Sequence, residues 1–144
     1  MTNANVDSLT NILGRTFGLY VQTHGYHWNV EGPEFRQCHA LFEEQYQNLW
    51  NALDPMAERI RALGAYAPGT LAELVALTGA APAPATTAAA MMDAVIAAHG
   101  ALVADLRAAI VTAQEAGDEP SAGMLTDRQA WHEQQLWMMT ASRK

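Results

Sequence analysis

His24-Gly25-Tyr26-His27-Trp28-Asn29-Val30-Glu31-Gly32-Pro33-Glu34-Phe35-Arg36-Gln37-Cys38-His39 contains one chain reversal, with histidines on both sides of it. Gly32 suits the end of one helix, and Pro33 suits the first turn of the next, where its missing N–H costs nothing. Upstream, Val6, Leu9, Leu13, Phe17, Tyr20, His24 and His27 recur at helical spacing and predict a first helix from Val6 to Trp28. Downstream, Phe35, Cys38, Phe42, Leu49, Leu53 and Ile60 mark one apolar stripe, predicting a second helix from Pro33 to Leu63 capped by Gly64. The two helices form an antiparallel hairpin. Pro55 removes one backbone hydrogen bond, to the carbonyl of Asn51, so a bend is expected between Asn51 and Pro55 rather than a break.

Beyond Gly64, the stretch from Ala65 to Ala85 holds Pro68, Pro82 and Pro84 with Gly69 and Gly79 around a short apolar piece, Leu71 to Leu77, headed by Thr70. It reads as a crossover carrying one short helix with Thr70 as its N-cap. A third long helix is expected from Thr86 to Glu115, with Met92, Val95, His99, Leu102, Leu106 and Ile110 in register and Gly117 ending it. The fourth runs from Ser121 to Thr140. Two helical hairpins joined by a long crossover define an all-α, ferritin-like four-helix bundle with a short extra helix in the crossover between the second and third helices. Residues 1–144 are expected to form one domain.

Composition narrows the function. Half of the 144 residues are apolar, enough for a core that needs no disulfide, and Cys38 is the only cysteine. The first residues lack the basic flank and apolar core of a signal peptide, and no apolar run approaching roughly 20 residues stands out, so a cytoplasmic protein without a membrane span is expected. Fifteen acidic residues against eight basic ones give a formal charge of −7, which favours cations over nucleic acid or anionic membrane.

The chemistry lies in His27, His39, Glu43, Asp54 and Glu58. Imidazole with carboxylate suits iron, manganese or zinc, and the i,i+4 spacings of His39 with Glu43 and of Asp54 with Glu58 put each pair on one helix face. No Glu-x-x-His motif occurs, so a di-iron centre inside one bundle is not expected. At 1.5 Å per residue, His27 and His39 both lie roughly 8 to 11 Å from the turn, side by side on antiparallel helices. Asp54 lies roughly 22 Å further along the second helix, beyond any shared coordination sphere. Two copies related by a two-fold axis, with their second helices antiparallel, bring His27 and His39 of one against Asp54 and Glu58 of the other.

At these residues the chain resembles the Dps family of mini-ferritins, DNA-binding proteins from starved cells. The likeness lies in His27-Trp28-Asn29-Val30, Gly32-Pro33, Phe35, His39, Phe42-Glu43-Glu44 and Leu53-Asp54-Pro55-Met56-Ala57-Glu58-Arg59, with His132-Glu133 and Trp137-Met138 near the end. The resemblance implies a hollow dodecamer with ferroxidase sites at its two-fold interfaces, oxidising Fe2+, with hydrogen peroxide favoured over dioxygen, and storing Fe3+. His27 and His39 are then the ligands from one subunit, Asp54 and Glu58 those from its partner, and Glu43 a further carboxylate. Glu58 bridges to a second, weaker iron position. The resemblance also places Asp118, Glu119 and Asp127 at three-fold pores, where Gly123 replaces a frequent carboxylate, and Glu44 on the cavity wall.

Other residues carry blander readings. His24 reads as a hydrogen-bonded core residue, and His99 and His132 as structural or interfacial. Tyr46 and Trp50 read as core or interface aromatics ahead of any electron-donating role, which Trp28 shares. Met91, Met92, Met138 and Met139 fill gaps, and Cys38 is a small buried group. DNA binding is expected to be weak or absent, because the first fourteen residues hold no Lys or Arg and the last two, Arg143 and Lys144, are the only basic pair at the other end.

Overall fold

A computed structural model describes residues 3–144. Five helices follow one another: α1 (Ala4–Asn29), α2 (Phe35–Ala62), α3 (Leu71–Leu77), α4 (Ala88–Glu115) and α5 (Glu119–Ser142). The long helices form the bundle, with α1 packed on α2 and α4 on α5 as hairpins, while α3 lies on α1. Leu9, Phe42, Leu49, Met56, Ile60, Val95, Leu106 and Leu125 are fully enclosed between them.

The helix ends follow capping chemistry. Asn3 accepts from the Asn5 and Val6 amides, Thr87 from that of Ala90, and Thr70 with Glu73 closes a reciprocal capping box on α3. Gly64 and Gly117 adopt positive φ after α2 and α4, as helix-ending glycines do. Most boundaries shift by one or two residues from expectation, and two of the shifts have a visible cause. α2 begins at Phe35, leaving Pro33 in the preceding turn, and α5 begins at Glu119 rather than Ser121, with Pro120 in its first turn, because Asp118 supplies the N-cap. Pro55 is accommodated inside α2, which continues unbroken to Ala62.

α4 is, against expectation, long and apolar enough by length and composition to cross a membrane. Its alanines raise the hydropathy. Met91, Met92, Val95, Leu102, Leu106 and Ala109 face the bundle interior, so it reads as a core helix.

α3 seats closely on α1 at two glycines. A Cβ at Gly14 would stand 2.2 Å from Leu77 Cβ, and one at Gly18 would stand 3.0 Å from Thr78 Cβ. The missing side chains let the two backbones approach.

One buried polar chain crosses the core. His99 Nε2 lies 3.2 Å from Gln45 Oε1, Gln45 Nε2 donates to Gln135 Oε1 at 3.0 Å, and Met139 Sδ lies 3.1 Å from the same amide nitrogen. His99 also meets His132 through their Nδ1 atoms, and both rings are fully buried, which favours the structural over the interfacial reading of the two. Gln45, the partner of His99, and Gln135, the partner of Gln45, were missed, although Gln45 falls on the same face as Phe42 and Leu49.

Candidate metal centre

The α1–α2 turn places His27 in the last turn of α1 and His39 one turn into α2. Their rings stack with centroids 3.7 Å apart and planes 14° from parallel. The Nδ1 of each lies 2.7 Å from the backbone carbonyl oxygen of the other. A carbonyl only accepts, so both Nδ1 atoms carry the hydrogen and donate. Each Nε2 therefore keeps its lone pair, the atom a neutral imidazole offers a metal, and the back-bonded N–H fixes the ring's orientation. Among the described residues neither Nε2 has a hydrogen-bond partner. Phe35 stacks on His39 at 4.8 Å.

The carboxylates stand apart from this pair. Glu43, Asp54 and Glu58 are all exposed on α2, and among the described residues no three His, Cys, Asp or Glu side chains gather closely enough to hold a metal ion. One chain thus brings together His27 and His39 but brings none of the three carboxylates to them. Two oriented imidazole nitrogens suit a divalent transition metal such as Fe2+, with the remaining ligands to come from elsewhere.

Aromatic side chains extend from the histidines along the α1–α2 face. Tyr46 meets His27 edge-on at 5.2 Å, and His24 stacks on Tyr46 at 3.8 Å with planes 6° apart. The Tyr20 hydroxyl is 3.1 Å from His24 Nδ1, Trp28 lies 4.2 Å from the His24 ring, and Trp50 lies 5.2 Å from the Tyr20 ring. His24 is thus half-buried in this cluster rather than enclosed in the core. Trp28 and Trp50 are 67% and 57% exposed, an unusual cost for large aromatics on a free surface.

A ferritin-like domain model matches residues 6–143. The DNA protection during starvation protein of Brevibacillus brevis is 39% identical over 126 residues, spanning 85% of this chain and 83% of its own length. The chain belongs to the Dps family of mini-ferritins. Among solved Dps structures, that of Vibrio cholerae O1, described as a member of a broad superfamily of ferritin-like diiron-carboxylate proteins, matches with a TM-score of 0.92 at 29% identity, over 97% of this chain and 89% of its own. Dps from Bacillus brevis matches over the whole of both chains, with a TM-score of 0.91 at 33% identity. The all-α Dps bundle expected from the sequence is therefore the observed one.

One residue of the expected pore is engaged elsewhere in this Dps chain. Asp118 is buried, caps α5 through the Ser121 amide, accepts from Asn5 Nδ2 and the Ser121 hydroxyl, and pairs with Arg59. Burial pushes its carboxyl up, but the hydrogen bonds from Ser121, Asn5 and Arg59 outweigh burial and hold it at about 2. Asp118 is a structural anchor, while Glu119 and Asp127 remain exposed.

Proposed function

We propose that this Dps protein oxidises Fe2+ with hydrogen peroxide at sites shared by two copies and stores the ferric product inside a hollow shell. The supporting observation is the reciprocal lock of His27 and His39, which leaves the Nε2 lone pair of each imidazole free while a single chain supplies no carboxylate to join them. A two-fold axis that sets two α2 helices antiparallel brings Asp54 and Glu58 of the partner subunit to this pair, and covers Trp28, Trp50 and the groove beside Asp54 lined by Phe17, Leu53 and Leu74. Glu43, one turn from His39, is the further carboxylate, and Glu58 bridges towards a second, weaker iron position.

The imidazoles bind Fe2+ as substrate, and the carboxylates favour the ferric product, lowering the potential against which peroxide works. Two bound Fe2+ give up one electron each, so one peroxide and two protons become two waters without a free hydroxyl radical. The resulting protein limits peroxide damage in the cytoplasm. The dodecameric shell follows the family likeness. A net charge of −7 opposes DNA association.

The test is complementation. His27→Ala and Asp54→Ala proteins are each expected to lose peroxide-driven Fe2+ oxidation. Subunits of the two, mixed before assembly, are expected to regain activity at about a quarter of the sites, since each mixed dimer rebuilds one whole site. Loss in both single variants without recovery in the mixture would place the site within one chain and end this reading.

A further inference from the structure

We propose that Phe35 is a positioning residue for the iron site, closing the open face of the His39 ring so that the ring stays in its lock with His27; this rests on the iron-oxidising reading above. The two histidines are not held alike. His27 is buried, with 8% of its surface exposed, and Tyr46 meets its ring edge-on. His39 is only half-buried. Its ring stacks on His27 at 3.7 Å and on Phe35 at 4.8 Å, the latter with planes 27° apart. Two rings cannot stack on one face of an imidazole, so Phe35 and His27 take opposite faces. Phe35 and His39 are one turn apart on α2, the i,i+4 spacing at which side chains meet. Phe35 does little else. It was expected on the apolar stripe of α2, yet it is 40% exposed and stands outside the core that Cys38, Phe42, Leu49 and Ile60 enter.

The bond at stake runs from His39 Nδ1–H to the His27 carbonyl, 2.7 Å away. At the end of α1 the backbone bond from Val30 goes to Tyr26, so among the described residues the His27 carbonyl has the His39 ring as its partner. Water admitted to the open face of that ring competes for both groups, and a His39 ring that swings away takes its Nε2 lone pair with it. The opposite bond is made by the His27 ring to the backbone carbonyl of His39, so it does not depend on where the His39 ring lies. Loss of Phe35 therefore loosens one imidazole and spares the other.

The experiment follows the imidazole N–H signals of assembled, iron-free protein carrying nitrogen-15 histidine, assigned by single-histidine substitutions, with light scattering to confirm that each variant assembles as the parent does. In Phe35→Ala and in Phe35→Leu, which keeps apolar bulk without a flat face, hydrogen exchange at His39 Nδ1 is expected to quicken about three- to tenfold, the worth of one ring stack. Exchange at His27 Nδ1 is expected to stay as in the parent. Zn2+, a probe that peroxide does not oxidise, is expected to bind more weakly by a similar factor in calorimetry. Phe35→Tyr keeps the flat ring and is expected to restore both readouts. Unchanged exchange and Zn2+ affinity in Phe35→Ala, equal quickening at His27 and His39, or full rescue by Phe35→Leu would overturn the proposal. Peroxide-driven Fe2+ oxidation separates the two readings, with Phe35→Ala expected to raise KM for Fe2+ and to keep the parent's rate at saturation. If the parent oxidises no iron while Phe35→Ala still quickens exchange at His39 alone, the iron reading has failed and the hold of Phe35 on His39 stands. If the parent oxidises iron and Phe35→Ala changes neither exchange nor Zn2+ binding, the iron reading stands and the role of Phe35 is refuted.

Discussion

The Nδ1 atoms of His99 and His132 lie 2.8 Å apart in the bundle interior, a separation that requires a single hydrogen between them. Gln45 gives its amide hydrogens to Gln135 and Met139, so its oxygen must accept from His99 Nε2–H. His99 then presents a bare Nδ1, and His132 donates to it. Both rings are neutral, and His132 Nε2 is left buried without a partner.

Neutrality has a pH cost. Burial, then the neighbouring Arg128 charge, brings His99 down to about 4, and burial, His99 and Arg128 push His132 lower still. In the unfolded chain both titrate near 6.5, so below that pH the unfolded state binds protons that the native state refuses, and stability falls as pH drops towards 4. For His99 alone the loss is on the order of 3 kcal/mol. Denaturant unfolding at pH 7 and pH 4.5 should show this slope in the parent protein and a flatter one in His99→Gln/His132→Leu. Equal slopes would show that the pair does not govern acid stability.

Asp118→Ala removes the α5 cap and strands Arg59, Asn5 and Ser121 together. The expected cost is about 2 to 4 kcal/mol, read from denaturant unfolding, because a lost cap and unsatisfied buried partners add. Asp118→Asn, which keeps the shape but not the charge, should fall between. An Asp118→Ala protein as stable as the parent would mean that the three helix ends are held by packing alone.

Gly14→Ala puts a methyl group where Leu77 already stands, 2.2 Å from its Cβ. Backbone and side chain must shift, at a cost of about 1 to 3 kcal/mol. Hydrogen exchange should quicken across residues 71–77 before it changes in α4 or α5. Unchanged protection in α3 would argue that its seat on α1 is loose.

Pro55→Ala restores the missing donor to the Asn51 carbonyl in the interior of α2. Because a proline inside a helix costs about 3 kcal/mol in an unconstrained setting, a gain of about 1 to 3 kcal/mol in subunit stability is expected, measured by thermal unfolding. A loss instead would show that α2 is shaped around the proline.

The bundle was legible because apolar periodicity and glycine or proline punctuation are local signals, and Leu71 to Leu77 was read to the residue through its Thr70 cap. The pairing of His27 with His39 was legible too, since counting residues from Gly32 places them level. Less local facts were hidden. Nothing near Asp118 in the sequence says that Arg59 and Asn5 will reach it, and a carboxylate that caps one helix while pairing with another looks the same as one lining a pore. Gln45 and Gln135 were invisible for the same reason, their partners lying 54 and 90 residues away in sequence from Gln45. The role of His24 turned on Tyr20, one helical turn upstream, which periodicity could mark only as apolar.

The lock between His27 and His39 spans only 12 residues of chain. Contacts so near in sequence close quickly and need no distant element, so the hairpin can set both imidazoles soon after it leaves the ribosome. On the proposed shared site, a newborn subunit would then carry half of a catalyst, idle until the acids of another molecule reach it. On that reading, oxidation would begin only when a container begins to exist around its product, and a stray monomer would have no means of turning ferrous ion and peroxide into loose rust. Assembly itself would then act as the safety catch.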